Sequence, residues 1–243
     1  MTVNILAIET STSLASVAIT SGTAVIAETL FTCDRSLSAR LVPEIDHLLA
    51  LAGLSISDID LFSASIGPGS FTGVRCGVAT IQGLALATGK PCAGFSSLAL
   101  LAMNFPFNSH PVCTLLDARK NEVYAALYDC STAIPSALIV DCVMPVEQFL
   151  EQVRSSIAST VIFAGEGARR YQETIASFRG EYTGFASPAH STGRAAMGAM
   201  LALDTWEQGK AHSNPALLLP SYIRPSEAEL ARSMMLNSDR NSI

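Results

Sequence analysis

Two carboxylates close apolar runs at matching places in this chain, Glu9 after Asn4-Ile-Leu-Ala-Ile8 and Asp117 after Val112-Cys-Thr-Leu-Leu116. Each is followed by a polar turn, Thr10-Ser-Thr-Ser13 and Ala118-Arg-Lys-Asn121. Facing each other across a cleft, the two could work as general acid and base. Ending their strands, they would instead serve turn chemistry with the hydroxyls beside them. The second group is Ser65-Ile-Gly-Pro-Gly-Ser-Phe-Thr-Gly-Val-Arg-Cys-Gly-Val-Ala79, a strand end, a glycine-rich turn and a helix start. Ser70 or Thr72 can cap the first free N–H groups of that helix. A helix N-terminus of this kind can hold an anion. No lysine follows the last glycine, so this is not a phosphate loop, and a tight strand-to-helix connection is the favoured reading.

Gly73, Gly77 and Ala79 leave part of that helix bare. A helical glycine costs about 1 kcal/mol relative to alanine, so something must approach closely, either this chain's own backbone or a partner's. The six cysteines, Cys33, Cys76, Cys92, Cys113, Cys130 and Cys142, form no C-x-x-C pair and read as reduced core thiols. His47, His110, His190 and His212 include no i, i+4 pair, so no helical metal site can be built from them.

The elements that would position these groups follow from periodicity. Strands are predicted at Asn4–Glu9, Ala15–Ile19, Ala24–Phe31, Ile59–Ile66 and Pro91–Phe95. Helices are predicted at Ser38–Ala52, with Pro43 in its first turn or at a kink, at Phe71–Thr88 stopped by Gly89, and at Ser97–Asn104. A second series repeats the order: strands at Val112–Leu116, Glu122–Tyr128, Ile139–Cys142 and Val161–Ala164, helices at Pro145–Ile157, Gly165–Phe178 and Ser191–Gln208. The fold class is therefore α/β, with duplicated β-β-β-α-β-α units. Residues 1–104 would form one subdomain and 105–225 a second, with the last helix and the segment after it free to pack back on the first; 226–243 read as a polar tail.

Composition sets limits. The 243 residues are 49% hydrophobic and 15% charged, so some apolar surface should be hidden in an interface. No apolar run reaches the roughly 18 residues of a membrane span, and the first residues read as a strand rather than a secretory leader. A net charge of −6 disfavours unaided nucleic-acid binding, and Arg169-Arg170, Arg35 and Arg40 read as solvated charge.

Ile5-Leu-Ala-Ile-Glu-Thr-Ser-Thr12, Gly67-Pro-Gly-Ser-Phe-Thr-Gly-Val-Arg75, Asp117-Ala-Arg-Lys-Asn-Glu-Val-Tyr124 and Pro220-Ser-Tyr-Ile-Arg224, in this order, resemble the bacterial TsaB family. The resemblance implies the actin-like ATPase (ASKHA) fold. It implies a cytoplasmic, non-catalytic partner in making threonylcarbamoyladenosine next to the tRNA anticodon. Such a partner pairs with a TsaD-like catalytic subunit, helps recruit a TsaE-like ATPase, meets tRNA only within that complex, and forms a homodimer when alone. The partner contact would use Leu41, Ile45, Leu48, Phe71, Gly73, Val74, Gly77 and Ile81. No metal and no cofactor is implied, with weak ATP or ADP binding at Glu9, Thr10, Gly165 and Gly167 as the open alternative.

Two departures bear on chemistry. Glu9-Thr-Ser-Thr12 lacks the glycine that lets an actin-like phosphate turn approach a triphosphate, and Ser38–His47 carries one histidine where a catalytic relative has a pair. Leu37-Ser38 also replaces the family's His-Ser. Two rival readings are an enzyme of the same fold, either a small-molecule kinase or a metallopeptidase-like hydrolase, and a self-sufficient homodimer.

Overall fold

Alternation along β1 (Asn4–Glu9) explains why its sequence is apolar throughout. Leu6 and Ile8 enter one hydrophobic cluster while Ile5 and Ala7 enter another, so both faces of the strand are covered. The computed structural model describes residues 2–32 and 37–224; Cys33, Arg35 and the expected tail at 226–243 lie outside them. After β1 come β2 (Leu14–Ser21), β3 (Ala24–Thr32), α1 (Leu37–Ala52), β4 (Leu61–Gly67), α2 (Phe71–Thr88), β5 (Cys92–Ser96) and α3 (Ser97–Ala102). The second series is β6 (Val112–Asp117), β7 (Glu122–Asp129), β8 (Ser136–Pro145), α4 (Val146–Ser156), β9 (Val161–Ala164), α5 (Glu166–Arg170), α6 (Gln172–Arg179), β10 (Thr183–Phe185) and α7 (Ala195–Glu207).

The two five-stranded sheets have the same topology. Their orders are β3-β2-β1-β4-β5 and β8-β7-β6-β9-β10, with three antiparallel strands followed by two parallel ones. Helices α1 and α2 cover one face of the first sheet, and α4 with parts of α5 and α6 covers the corresponding face of the second. The remaining faces are covered by exchange. Leu98, Leu101 and Ala102 of α3 pack on Val112, Leu116 and Ala126 of the second sheet. Ala195, Ala196, Ala199 and Ala202 of α7 return to Ile5, Ala7, Leu61 and Ala93 of the first. A carboxylate holds that return: Glu28 on β3, nearly buried, pairs with Arg194 and accepts the Ala196 N–H at 3.0 Å.

Several expectations change. Of the two placements expected for Pro43, the first turn is ruled out: it lies well inside α1, on its exposed side. The helix expected over Gly165–Phe178 breaks at Tyr171 into α5 and α6. The last helix begins at Ala195, after a 3-10 turn at Pro188–Ser191. β10, only three residues long, has too short a period to be seen in sequence.

Candidate functional site

The turn after β1 and the start of α2 are built against each other. Ser70 caps α2 by accepting the Gly73 N–H at 3.2 Å, and Gly89 ends the helix in the left-handed region at φ 67°. The Ser70 N–H donates to the Ser11 carbonyl at 2.7 Å, and the Thr10 hydroxyl donates to the Gly73 carbonyl at 2.8 Å. A Cβ at Gly73 would stand 2.0 Å from the Thr10 carbonyl oxygen, and one at Gly77 would stand 2.5 Å from the Thr10 hydroxyl. Gly73 and Gly77 therefore answer to Thr10 of this chain, its carbonyl at one and its hydroxyl at the other. The favoured reading of Gly67–Gly73 as a tight connection agrees with this geometry.

The structure places most of the residues expected at the partner contact inside this chain. Leu41, Ile45, Leu48, Val74 and Ile81 are buried in the first sheet's own core, and Gly73 and Gly77 are buried against Thr10. Only Phe71 of the eight is exposed. Apolar periodicity marks the inward face of a helix, so the residues off that period are the ones left exposed. Exposed apolar residues are Val42 and Leu51, on opposite flanks of α1, and Leu86, 75% exposed, on the outer side of α2. Gly83 is there too, with nothing within 4 Å of where a Cβ would sit. Sequence reasoning missed these, although a mid-helix glycine off the apolar period was the available signal.

The expected nucleotide contacts are also occupied internally. Glu9 and Thr10 are fully buried. Glu9 Oε1 accepts the Ser11 N–H at 2.5 Å, while its Oε2 lies buried without a bonded partner. Burial pushes the Glu9 carboxyl above the usual carboxylate range, against the opposing pull of the Ser11 and Ser65 groups. A Cβ at Gly165 would stand 2.2 Å from the Leu115 carbonyl oxygen, and Gly167 approaches Leu115 almost as closely, so both glycines let α5 lie on β6. Glu9 and Asp117 do not act as a pair: Glu9 is sealed, whereas Asp117 accepts the Arg119 N–H at 3.0 Å and faces Arg170 at 3.5 Å. That is the turn chemistry of the second reading.

What the four sequence motifs share is one place. Ser11 and Thr12, Gly67–Val74, Asp117–Arg119 with Tyr124, and Ser221–Arg224 all line a single cleft of about 870 Å³ between the two sheets. A smaller cavity of about 430 Å³ lies beside it, lined by Thr12, Leu116, Phe163, Glu166, Arg169 and Phe185 among others. Among the described residues, no three His, Cys, Asp or Glu side chains are grouped to hold a metal, and no helix is long and apolar enough to cross a membrane.

Comparison with known proteins places this geometry. A family model described as TsaD: tRNA N6-adenosine threonylcarbamoyltransferase matches residues 31–232. The chain is 28% identical over 225 residues to the tRNA threonylcarbamoyladenosine biosynthesis protein TsaB of Bacillus subtilis, spanning 93% of this chain and 96% of that protein. It is 39% identical over 126 residues to the Escherichia coli protein of the same name, a match spanning 51% of this chain and 54% of that relative. The solved structure of YeaZ from Pseudomonas aeruginosa superposes with a TM-score of 0.76 at 28% identity, over 90% of this chain and 99% of that one. A ROK hexokinase from Thermus thermophilus, at 10% identity and a TM-score of 0.50, shares the fold alone; it covers 85% of this chain and 100% of its own.

Proposed function

The chain belongs to the TsaB family, within the domain family described as tRNA N6-adenosine threonylcarbamoyltransferase, and on that premise we propose that it is a non-catalytic docking subunit in threonylcarbamoyladenosine modification of tRNA. Its fold is the duplicated actin-like ATPase fold. Its role is to pair with a TsaD-like catalytic subunit, to help assemble a TsaE-like ATPase on that pair, and to meet tRNA only through them. Alone, it pairs with a second copy through the same helices.

The observation that carries this reading is the outward face of α1 and α2. Gly83 sits mid-helix with open space around it, so nothing among the described residues offsets its helix cost of about 1 kcal/mol. Exposed Leu86 lies three residues from it on the same outer side of α2, and the adjacent α1 carries exposed Val42 and Leu51. Small residues flanked by larger apolar ones let a second helix approach at the short end of the packing range. A bound partner would shift the catalytic subunit toward its competent arrangement, since binding favours whichever state it contacts better.

The internal use of Glu9, Thr10, Gly165 and Gly167 supports the non-catalytic part. A nucleotide reaching the buried Thr10 hydroxyl would have to displace its hydrogen bond to the Gly73 carbonyl. The open cleft lined by Ser11, Asp117, Arg119 and Glu166 favours the rival reading of an enzyme of this fold. ATP turnover by the isolated chain would establish that rival.

The test is co-purification with TsaD-like and TsaE-like partners, comparing the wild type with Leu86→Glu. Leu86 is exposed, so the variant should fold with an unchanged thermal midpoint and lose at least tenfold in pairing. Undiminished pairing would remove α2 from the interface.

A further inference from the structure

The segment leading to Arg224 ties the two lobes together across the cleft. Its near end is fixed: Leu218 is buried in the first sheet's core, and Gln82 of α2 donates to the carbonyls of Pro215 at 3.2 Å and Leu218 at 2.9 Å. Beyond that anchor the chain lines the cleft from Ser221 to Arg224. The Ser221 N–H donates to the Ile66 carbonyl at 2.7 Å. Tyr222 lies against Phe71 with ring centroids 5.3 Å apart, and its hydroxyl accepts from Arg75 Nε at 2.6 Å. The Arg75 guanidinium in turn covers the Phe71 ring at 3.7 Å.

Two residues later the contacts belong to the other lobe. Arg224 Nη1 donates to the Ala118 carbonyl at 2.7 Å, and Nη2 pairs with the Glu122 carboxylate. Ala118 and Glu122 bracket the β6–β7 turn, where Arg119, Lys120 and Asn121 all have positive φ, at 62°, 54° and 59°. Three successive L residues in the left-handed region are unfavourable and persist only where surrounding contacts hold them. Arg224 supplies two of those contacts.

We propose that Ser221–Arg224 is a reversible strap, latched on one lobe by Tyr222 against Phe71 and Arg75, and on the other by Arg224 against Ala118 and Glu122. When latched it fixes the angle between the lobes and closes part of the cleft. Its latches lie near solvent rather than in the core: the Arg224 and Glu122 side chains are 24% and 30% exposed, and Tyr222 is 45% exposed. Water can therefore replace each contact, which suits a latch that opens without unfolding either sheet.

Hydrogen exchange of the full chain tests this, comparing wild type with Arg224→Gln, Glu122→Gln and Tyr222→Phe. Arg224→Gln should speed exchange together at Ser221, in 66–74 and in 116–124, by roughly tenfold, the ratio expected from losing charge-assisted hydrogen bonds. Amides of β1 and β9, away from the cleft, should keep their wild-type rates. Glu122→Gln, altered on the other lobe, should reproduce the pattern. Tyr222→Phe, which keeps the ring and loses only the hydroxyl, should give a smaller change of the same kind. Faster exchange confined to 219–224 would reduce the segment to a loose end and overturn the proposal. An equal rise at every amide would mean general destabilisation and overturn it as well.

Discussion

Gly73 and Gly83 stand ten residues apart on α2, and replacing each by alanine should move stability in opposite directions. At Gly83 of the unpaired chain a methyl group enters open space, so only helix propensity changes, and at concentrations low enough to keep the chain unpaired it should gain up to about 1 kcal/mol. At Gly73 the same propensity gain meets a methyl 2.0 Å from the Thr10 carbonyl oxygen, well over an ångström inside ordinary contact. Backbone must move, and overpacking of this kind costs about 1–3 kcal/mol. The Thr10–Gly73 hydrogen bond, 2.8 Å long, goes with it and adds about 1 kcal/mol. Net destabilisation by Gly73→Ala is therefore about 2 kcal/mol after the propensity gain. Thermal unfolding followed by circular dichroism should show a midpoint lowered by roughly 4–8 °C for Gly73→Ala, and raised by roughly 2–4 °C for Gly83→Ala. A Gly73→Ala protein of wild-type stability that fails to pair with its partner would refute the reasoning, because Gly73 would then face outward.

Other outcomes follow from the same contacts. Glu28→Gln removes the charge that holds Arg194 and the α7 N-terminus, and should cost about 2 kcal/mol in urea unfolding. Glu9 has a raised pKa from burial, so its contribution to stability is full below the unfolded value near 4.5 and is lost as pH rises through the folded value. Glu9→Gln, which keeps an acceptor for the Ser11 N–H, should therefore gain on the wild type as pH rises above about 4.5; a constant difference across pH would contradict the assignment. Burial pushes the Cys130 thiol up to about 12 and Cys142 up to about 11, with Asp129 and Asp141 adding to the respective shifts. Native protein at pH 8 should leave both unalkylated by iodoacetamide, while denatured protein labels fully, as mass spectrometry of tryptic peptides would show.

Local chemistry was legible in the sequence where one or two residues decide it. Helix α2 runs over Phe71–Thr88 as its Ser70 cap and Gly89 stop require, and β1 and β9 begin and end where their apolar runs do. The duplication was legible as well, because the two units repeat their order of elements, and the sheets repeat it strand by strand. What was not legible depends on distant partners. The Glu28–Arg194 pair joins residues 166 positions apart, and the Arg224–Ala118 bond joins residues 106 apart. Periodicity marked the core side of α1 and α2: Leu41, Ile45 and Ile81 repeat at helical spacing because they face the first sheet. The outward side carries little signal, since a surface of small and mixed residues has no period of its own.

The account stands on this chain acting through a partner rather than by its own chemistry. The most direct measurement is threonylcarbamoyladenosine formed on tRNA by purified TsaD-like and TsaE-like proteins, with this chain absent, present, or present as Leu86→Glu. Modification should require the wild-type chain and fall at least tenfold with Leu86→Glu, with no ATP hydrolysis by the chain alone. Full modification in its absence, or ATP turnover by the isolated chain, would contradict the account.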